Sequence, residues 1–282
     1  MPLSLAAVIA APPSGRRRAV LVDCHDYAQA VLLQGKPVPW SEPMAYCNFF
    51  GQAQGLLSSD LALLNLDRFY AYRLRSSEAL REAMAAKNRT GFALRTLLGD
   101  ADLLRDAVEF ATTFSKTQRA PVVLQVPSPM RWLVRTHRFS GAADATGLDA
   151  DDAENASMYV ADWLRAFAAL PLASVLLDDR PLAGDDNNTV SVPLGTYSPV
   201  HNVTDHYGWT LGLRRADGVQ LAVAGAGVGV GIELDGPAGV VIPAGFWPGS
   251  SIVEPPAGEF LLAEIPETAV PEHVLARLAT LP

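Results

Sequence analysis

Hydrophobic and polar positions along this chain follow two alternating patterns. Short runs that are apolar almost throughout, at 19–22, 61–66, 121–127 and 173–177, read as strands buried on both faces. Between them lie longer stretches with apolar residues three and four apart. Residues 76–84 open on a capping serine with an early acid and carry Leu80 and Met84, which predicts a helix. Residues 100–113 align Leu103, Leu104, Ala107, Val108 and Ala111, and 151–170 align Met158, Val160, Ala161, Leu164 and Phe167, so both read as helices. A buried strand, a polar tip and a helix, repeated, is the pattern of βα units around a parallel sheet.

The last third is less regular. Its apolar runs predict strands at 190–194, 219–223, 240–243 and 259–265, and a closing helix over 271–281. Residues 225–231 carry glycine at every second position. That spacing is not G-x-G-x-x-G, and the run passes into Ile232-Glu233-Leu234-Asp235 without opening a helix. Close backbone packing or a bulged strand is the expected use, in place of a nucleotide loop. About eight or nine strand candidates interleaved with helices predict one (β/α)8 TIM-type barrel over 1–282, with an open doubly wound sheet as the alternative. Residues 1–18 precede the first strand as a flexible or additional segment. The small, acidic stretch 141–152 suits a surface loop within that one domain.

Composition narrows the function classes. The chain has 282 residues, 49% of them hydrophobic and 18% charged, which supplies a core and excludes disorder. A net charge of −8 with no basic stripe leaves no electrostatic footprint for nucleic acid. No run approaches the roughly 18 apolar residues of a membrane span. The apolar start lacks a positive flank before it, because Arg16, Arg17 and Arg18 follow it, so a secretion signal is not expected and the cytoplasm is. Two cysteines make no disulfide framework. Nineteen arginines against three lysines suit an anionic substrate, or simply reflect the composition of an alanine-rich chain.

In a barrel, chemistry gathers where the strands end. The first strand delivers Asp23, His25, Asp26 and Tyr27, and the fourth delivers Asp178, Asp179 and Arg180. A third polar tip is expected after Leu194, with Tyr197, His201, Asp205, His206 and Tyr207. His25 and His201 are the acid/base candidates, since imidazole titrates near neutrality and a neighbouring carboxylate orients it. Asp23 and Asp178 are the orienting or charge-stabilising acids. Gln125, Arg131, Asp179, Arg180, Tyr197 and Glu264 are the expected substrate contacts, an arginine holding a carboxylate through both its N–H arms. Cys24, His25, His201 and His206 are ligand types without a metal-binding spacing, so no metal ligands are assigned. Each histidine also has a purely structural reading, as a loop cap or a donor to a backbone carbonyl.

Leu176-Leu177-Asp178-Asp179-Arg180-Pro181 resembles the I-D-E-P strand of the cobalamin-independent methionine synthase barrel. The stretch from Gly195 to His201 is similar to that family's strand ending in Thr-His-x-Cys. The close, from Leu262 to Val274, resembles its strand and proline-started helix. The resemblance implies a barrel with its site at the C-terminal face, in a superfamily that includes uroporphyrinogen decarboxylase and zinc-dependent alkyl-thiol transferases. The zinc motif is missing: Val203 stands two after His201, and no cysteine follows Cys47. The expectation is therefore a metal-independent lyase or decarboxylase-type enzyme acting on a small carboxylated molecule, with no cofactor predicted and zinc as the alternative left open. Methyl or alkyl transfer is the enzymatic alternative. A barrel that binds a ligand or a partner subunit without catalysis, or assembles with copies of itself, is the other.

Overall fold

The computed structural model describes residues 4–140, 147–181, 191–216, 218–222, 238–249 and 260–282. The chain opens with helix α1 (Leu5–Ala10) and strand β1 (Ala19–Asp23), followed by α2 (His25–Leu32), α3 (Pro43–Leu57) and β2 (Ala62–Asn65). Helices α4 (Leu66–Ser76), α5 (Glu78–Ala85), α6 (Phe92–Leu98) and α7 (Ala101–Thr117) lead to β3 (Val122–Pro127). Then come α8 (Pro129–His137), α9 (Ala150–Leu164), β4 (Leu172–Asp178) and α10 (Ser198–His206). The remaining strands are β5 (Thr210–Arg214), β6 (Gly218–Leu221), β7 (Gly239–Val241) and β8 (Phe260–Glu264), before α11 (Pro271–Leu278).

The eight strands form one sheet in the order β1-β8-β7-β6-β5-β4-β3-β2. A parallel bridge between Leu21 and Leu61 brings its two ends together, which makes a nearly closed (β/α)8 TIM-type barrel and excludes the open sheet. Side chains stitch this seam. The Asp60 carboxylate accepts from the backbone N–H of Val20 and Ser14, at 2.8 and 2.7 Å. Ser59 donates to the Leu61 carbonyl at 2.7 Å and accepts from the Val22 N–H at 3.0 Å. One strand departs from the all-parallel pattern: β6 runs antiparallel to both β5 and β7. β5 ends at Arg214 and β6 begins at Gly218, too short a connection for a parallel crossover.

Alternation along the strands sorts the barrel wall. Outward residues such as Val20, Val22, Leu64, Leu124 and Leu177 meet the helices. Inward residues Ala19, Leu21, Leu63, Val123, Leu176, Val219, Phe260 and Leu262 fill the interior, joined by Leu5 and Val8 of α1. The first helix thus closes the N-terminal end of the barrel. Its side chains also border a cavity beside Thr210 at the start of β5.

Two expectations are corrected. No strand forms at 191–194 among the described residues; Leu194–Tyr197 is a 3-10 turn feeding α10, whose first turn is started by Pro199. Residues 151–170 form no unbroken helix, because α9 ends at Leu164 and a 3-10 turn, Arg165–Phe167, follows. The glycine-rich stretch 225–231, Val223, Glu259 and residues 141–146 of the acidic loop lie outside the described residues.

Phe260 fills the interior at the cost of its neighbour's side chain. A Cβ on Gly239, its partner across β7 and β8, would lie 2.3 Å from the ring. The ring is itself buried, with 2% of the residue exposed. Gly239→Ala is therefore expected to destabilise the fold by about 1–3 kcal/mol, an overpacking effect read by denaturant unfolding.

Candidate active site

The inward alternation that fills the barrel with aliphatic side chains ends, one step further up, on polar ones. Asp23 follows Leu21, Asn65 follows Leu63, Gln125 follows Val123, Asp178 follows Leu176 and Glu264 follows Leu262. Arg214 follows Gly212 on β5 and pairs in register with Asp178. The strand geometry therefore turns these six side chains into the C-terminal mouth together.

Arg214 stands at the centre with 0% of its surface exposed. Its guanidinium donates to Asp23 Oδ2 at 2.7 Å, to Gln125 Oε1 at 3.0 Å and to Glu264 Oε2 at 2.9 Å. Gln125 passes its amide on to Asp178 Oδ2 at 3.2 Å. Arg180 grips Asp178 through Nε and Nη2, at 2.9 and 2.8 Å, and reaches both oxygens of Glu264 at 2.8 Å. Arg131, on α8, adds an ion pair to Asp178 at 2.9 Å. Three guanidiniums and three carboxylates thus neutralise one another. Burying any of them unpaired would cost several kcal/mol.

Burial works to raise the carboxyl pKa of Asp23, but Arg214 and His25 outweigh it and hold the group well below the usual carboxylate range. Asp178 follows the same pattern: burial is overcome by Arg180, Arg131 and Arg214, and its pKa is lowered. Asp179 goes the other way. It turns out of the mouth to accept a hydrogen bond from Ser128 at 2.5 Å, and burial raises its pKa despite Ser128 and Arg215.

His25 lies beside this network, in the first turn of α2 just past the end of β1. It is buried among rings, stacked at 6.2 Å on Trp40 and tilted against Phe50 at 5.8 Å. Nε2 shares a hydrogen bond with the Tyr46 hydroxyl at 2.7 Å, and Nδ1 lies 3.7 Å from Asp23 Oδ1. Asp23 therefore serves Arg214 with one oxygen and faces His25 with the other. Two cavities meet at this histidine. One, of about 750 Å³, opens over β1, β7 and β8 and is lined by Asp23, Asp26, Glu264 and Glu267 with Arg68 as its cation. The other, of about 450 Å³, lies outside it between α2 and α4, with Arg68, Arg75 and Arg135 against the single carboxylate of Asp67.

Seven of the residues singled out from the sequence meet at the mouth: Asp23, His25, Gln125, Arg131, Asp178, Arg180 and Glu264. His201 does not join them. It sits on α10 and borders the cavity by α1 and Thr210, at the N-terminal end of the barrel. The expected strand tip at Leu194 is a helical turn, so the histidine is carried away from the mouth along a helix. Tyr197 is buried on that turn, near Asp179, and its phenol pKa is raised by burial and by that carboxylate. Arg214, Tyr46, Trp40 and Asn65 were missed. Thr210-Leu211-Gly212-Leu213-Arg214 does alternate, and that period would have flagged β5 and its terminal arginine.

Zinc, left open by the sequence, finds no matching donor set among the described residues. Cys24 is a buried thiol whose pKa burial pushes up to about 12. Among the described residues no group of three or more His, Cys, Asp and Glu is placed to hold a metal ion.

The lowered pKa values of Asp23 and Asp178 set a pH dependence. Each contributes stability that is fully present above the unfolded value of 3.8 and is lost as pH falls through the lower folded value. Asp179, raised, has the opposite slope, and the acid limb reports the difference. Asp23→Asn should cost roughly 3–5 kcal/mol at neutral pH, by removing one of the two carboxylates that neutralise buried Arg214, and should flatten the acid limb in pH-dependent unfolding. No protein-family model matches this chain, and no curated protein or solved structure does either.

Proposed function

We propose that this barrel is an acid/base enzyme of lyase or decarboxylase type, acting on a small carboxylated molecule without a metal. The observation that carries this reading is His25, which is set between Asp23 and Tyr46 and forms part of the wall of an arginine-rich cavity. Asp23 and Tyr46 are the positioning residues: one carboxylate oxygen faces Nδ1, the hydroxyl meets Nε2, and together they hold the ring at the wall of both cavities. A protonated imidazole held there suits delivery of its proton to the carbanion left when the C–C bond breaks and carbon dioxide departs.

The carboxylate anchor shifts from the residues first expected. Arg131 and Arg180 are already committed to Asp178 and Glu264, so an incoming anion would have to displace an internal one. The cavity arginines are better placed. Arg68 and Arg135 are paired with Asp26 and Asp67, whereas Arg75 is exposed and enters no ion pair among the described residues. A substrate carboxylate on Arg75, with its α or β carbon toward His25, fits that distribution. The rival reading, a binding barrel without catalysis, draws on the neutrality of the mouth network and the 4% exposure of His25.

The test is a panel of small keto and hydroxy acids, followed by NMR for carbon dioxide release and solvent-deuterium incorporation. Turnover should fall by about 100-fold or more in His25→Gln with unfolding unchanged, as for loss of a general acid. Arg75→Met should act mainly on KM. Binding of panel members without turnover would favour the non-catalytic barrel, and full activity in His25→Gln would remove the histidine from the mechanism.

A further inference from the structure

The cavity at the N-terminal end of the barrel, of about 550 Å³, lies between α1, α10, β5 and β6 and takes no part in the chemistry above. Its body is apolar, built from Ile9 of α1, Trp209, and Leu211 and Leu221 of the sheet. Against these stand His201 and Asp205, one turn apart on the same face of α10. Small-molecule sites have this size and this make-up, a few converging polar groups on an apolar wall.

Neither polar side chain is taken up by the fold. His201 is only 7% exposed, yet its ring makes no hydrogen bond or ion pair with any described residue. A polar group buried without a partner opposes folding, so an imidazole kept unpaired at a cavity wall is one a ligand can satisfy. Asp205, at the exposed rim, likewise enters no ion pair among the described residues.

Charge selects the ligand. Two basic cavities beside α4 share Arg75 and Arg135, whereas the described wall here carries neither Lys nor Arg. Its one carboxylate, Asp205, sits in the last turn of α10, where the helix dipole is negative and favours a cation. His206, the basic residue of that turn, packs edge-on to Tyr207 at 4.8 Å and is not part of the wall. A carboxylate and a neutral imidazole both accept hydrogen bonds, and an ammonium group brings three donors.

We propose that the cavity between α1, α10, β5 and β6 is a binding site for an amphiphilic cation, a primary ammonium carried on an aryl or alkyl body. The ammonium lies between Asp205 and His201, and the body lies on Ile9, Leu211 and Leu221. This site is at the opposite end of the barrel from His25 and stands whether or not that histidine is catalytic.

Titration of the whole protein with phenethylamine, phenylacetate and ethylamine tests it, using calorimetry and backbone amide NMR. Saturable one-to-one binding of phenethylamine is expected, with shifts at Ile9, Leu211 and Leu221 and weakening with salt. Phenylacetate, an anion on a similar body, should bind at least about tenfold more weakly, as should ethylamine, which lacks the ring. Asp205→Asn should weaken phenethylamine binding by about tenfold, the loss of roughly one charge-assisted contact. His201→Leu should weaken it as well, and His201→Gln, which keeps an acceptor, should retain more of the affinity. Thermal unfolding confirms that each variant folds. Absence of saturable phenethylamine binding, shifts confined to other surfaces, equal binding of phenylacetate, or parent-like affinity in Asp205→Asn overturns the proposal. His25→Gln should bind like the parent, so loss of turnover there leaves this site untouched.

Discussion

A guanidinium sealed inside a barrel is the constraint on which the mouth of this protein depends. Arg214 is fully buried, and an arginine cannot shed its proton to relieve that burial, so its surroundings must supply the compensation. Three acceptors from three different strands do so: Asp23, Gln125 and Glu264. Each is fixed in turn by another partner. Glu264 is shared with Arg180, Gln125 with Asp178, and Asp23 with His25. The orientation of the histidine is therefore coupled to the closure of the barrel.

The reversed strand makes this arrangement available. A parallel crossover after β5 would carry the chain out over the helices, whereas the tight turn into β6 keeps Arg214 hydrogen-bonded on both sides within the sheet. Below it, Gly212, Leu176 and Leu262 border a largely aliphatic interior, and Leu5 and Val8 cap the far end. Apolar floor and polar lid meet at a single layer. Its charges are closely matched, which lowers the penalty for keeping them out of water.

Charge is distributed differently outside that layer. The cavity over β1, β7 and β8 is mainly acidic, while the two cavities that share Arg75 and Arg135 are basic. His25 borders the acidic cavity on one side and a basic cavity on the other. In a chain of net charge −8, these basic hollows are where an anion loses least on approach.

The barrel was legible in the sequence because burial on both faces leaves continuous apolar runs, and the runs at 19–22, 61–66, 121–127 and 173–177 all became strands. The polar tips Asp23, Gln125, Asp178 and Glu264 were legible for the same reason: each follows an apolar run at the position where alternation turns it inward. Residues 191–194 misled because a few β-branched residues next to proline suit a strand and an extended lead-in to a helix equally well. Their misreading sent His201 to the wrong end of the barrel. Local pattern thus determined which residues leave the strand ends. It could not determine that Arg214 would pair with Asp23, 191 residues away, or that Tyr46 would meet His25. Those partners come from closure of the sheet and from helix packing, and only the tertiary structure brings such distant charges within hydrogen-bonding range.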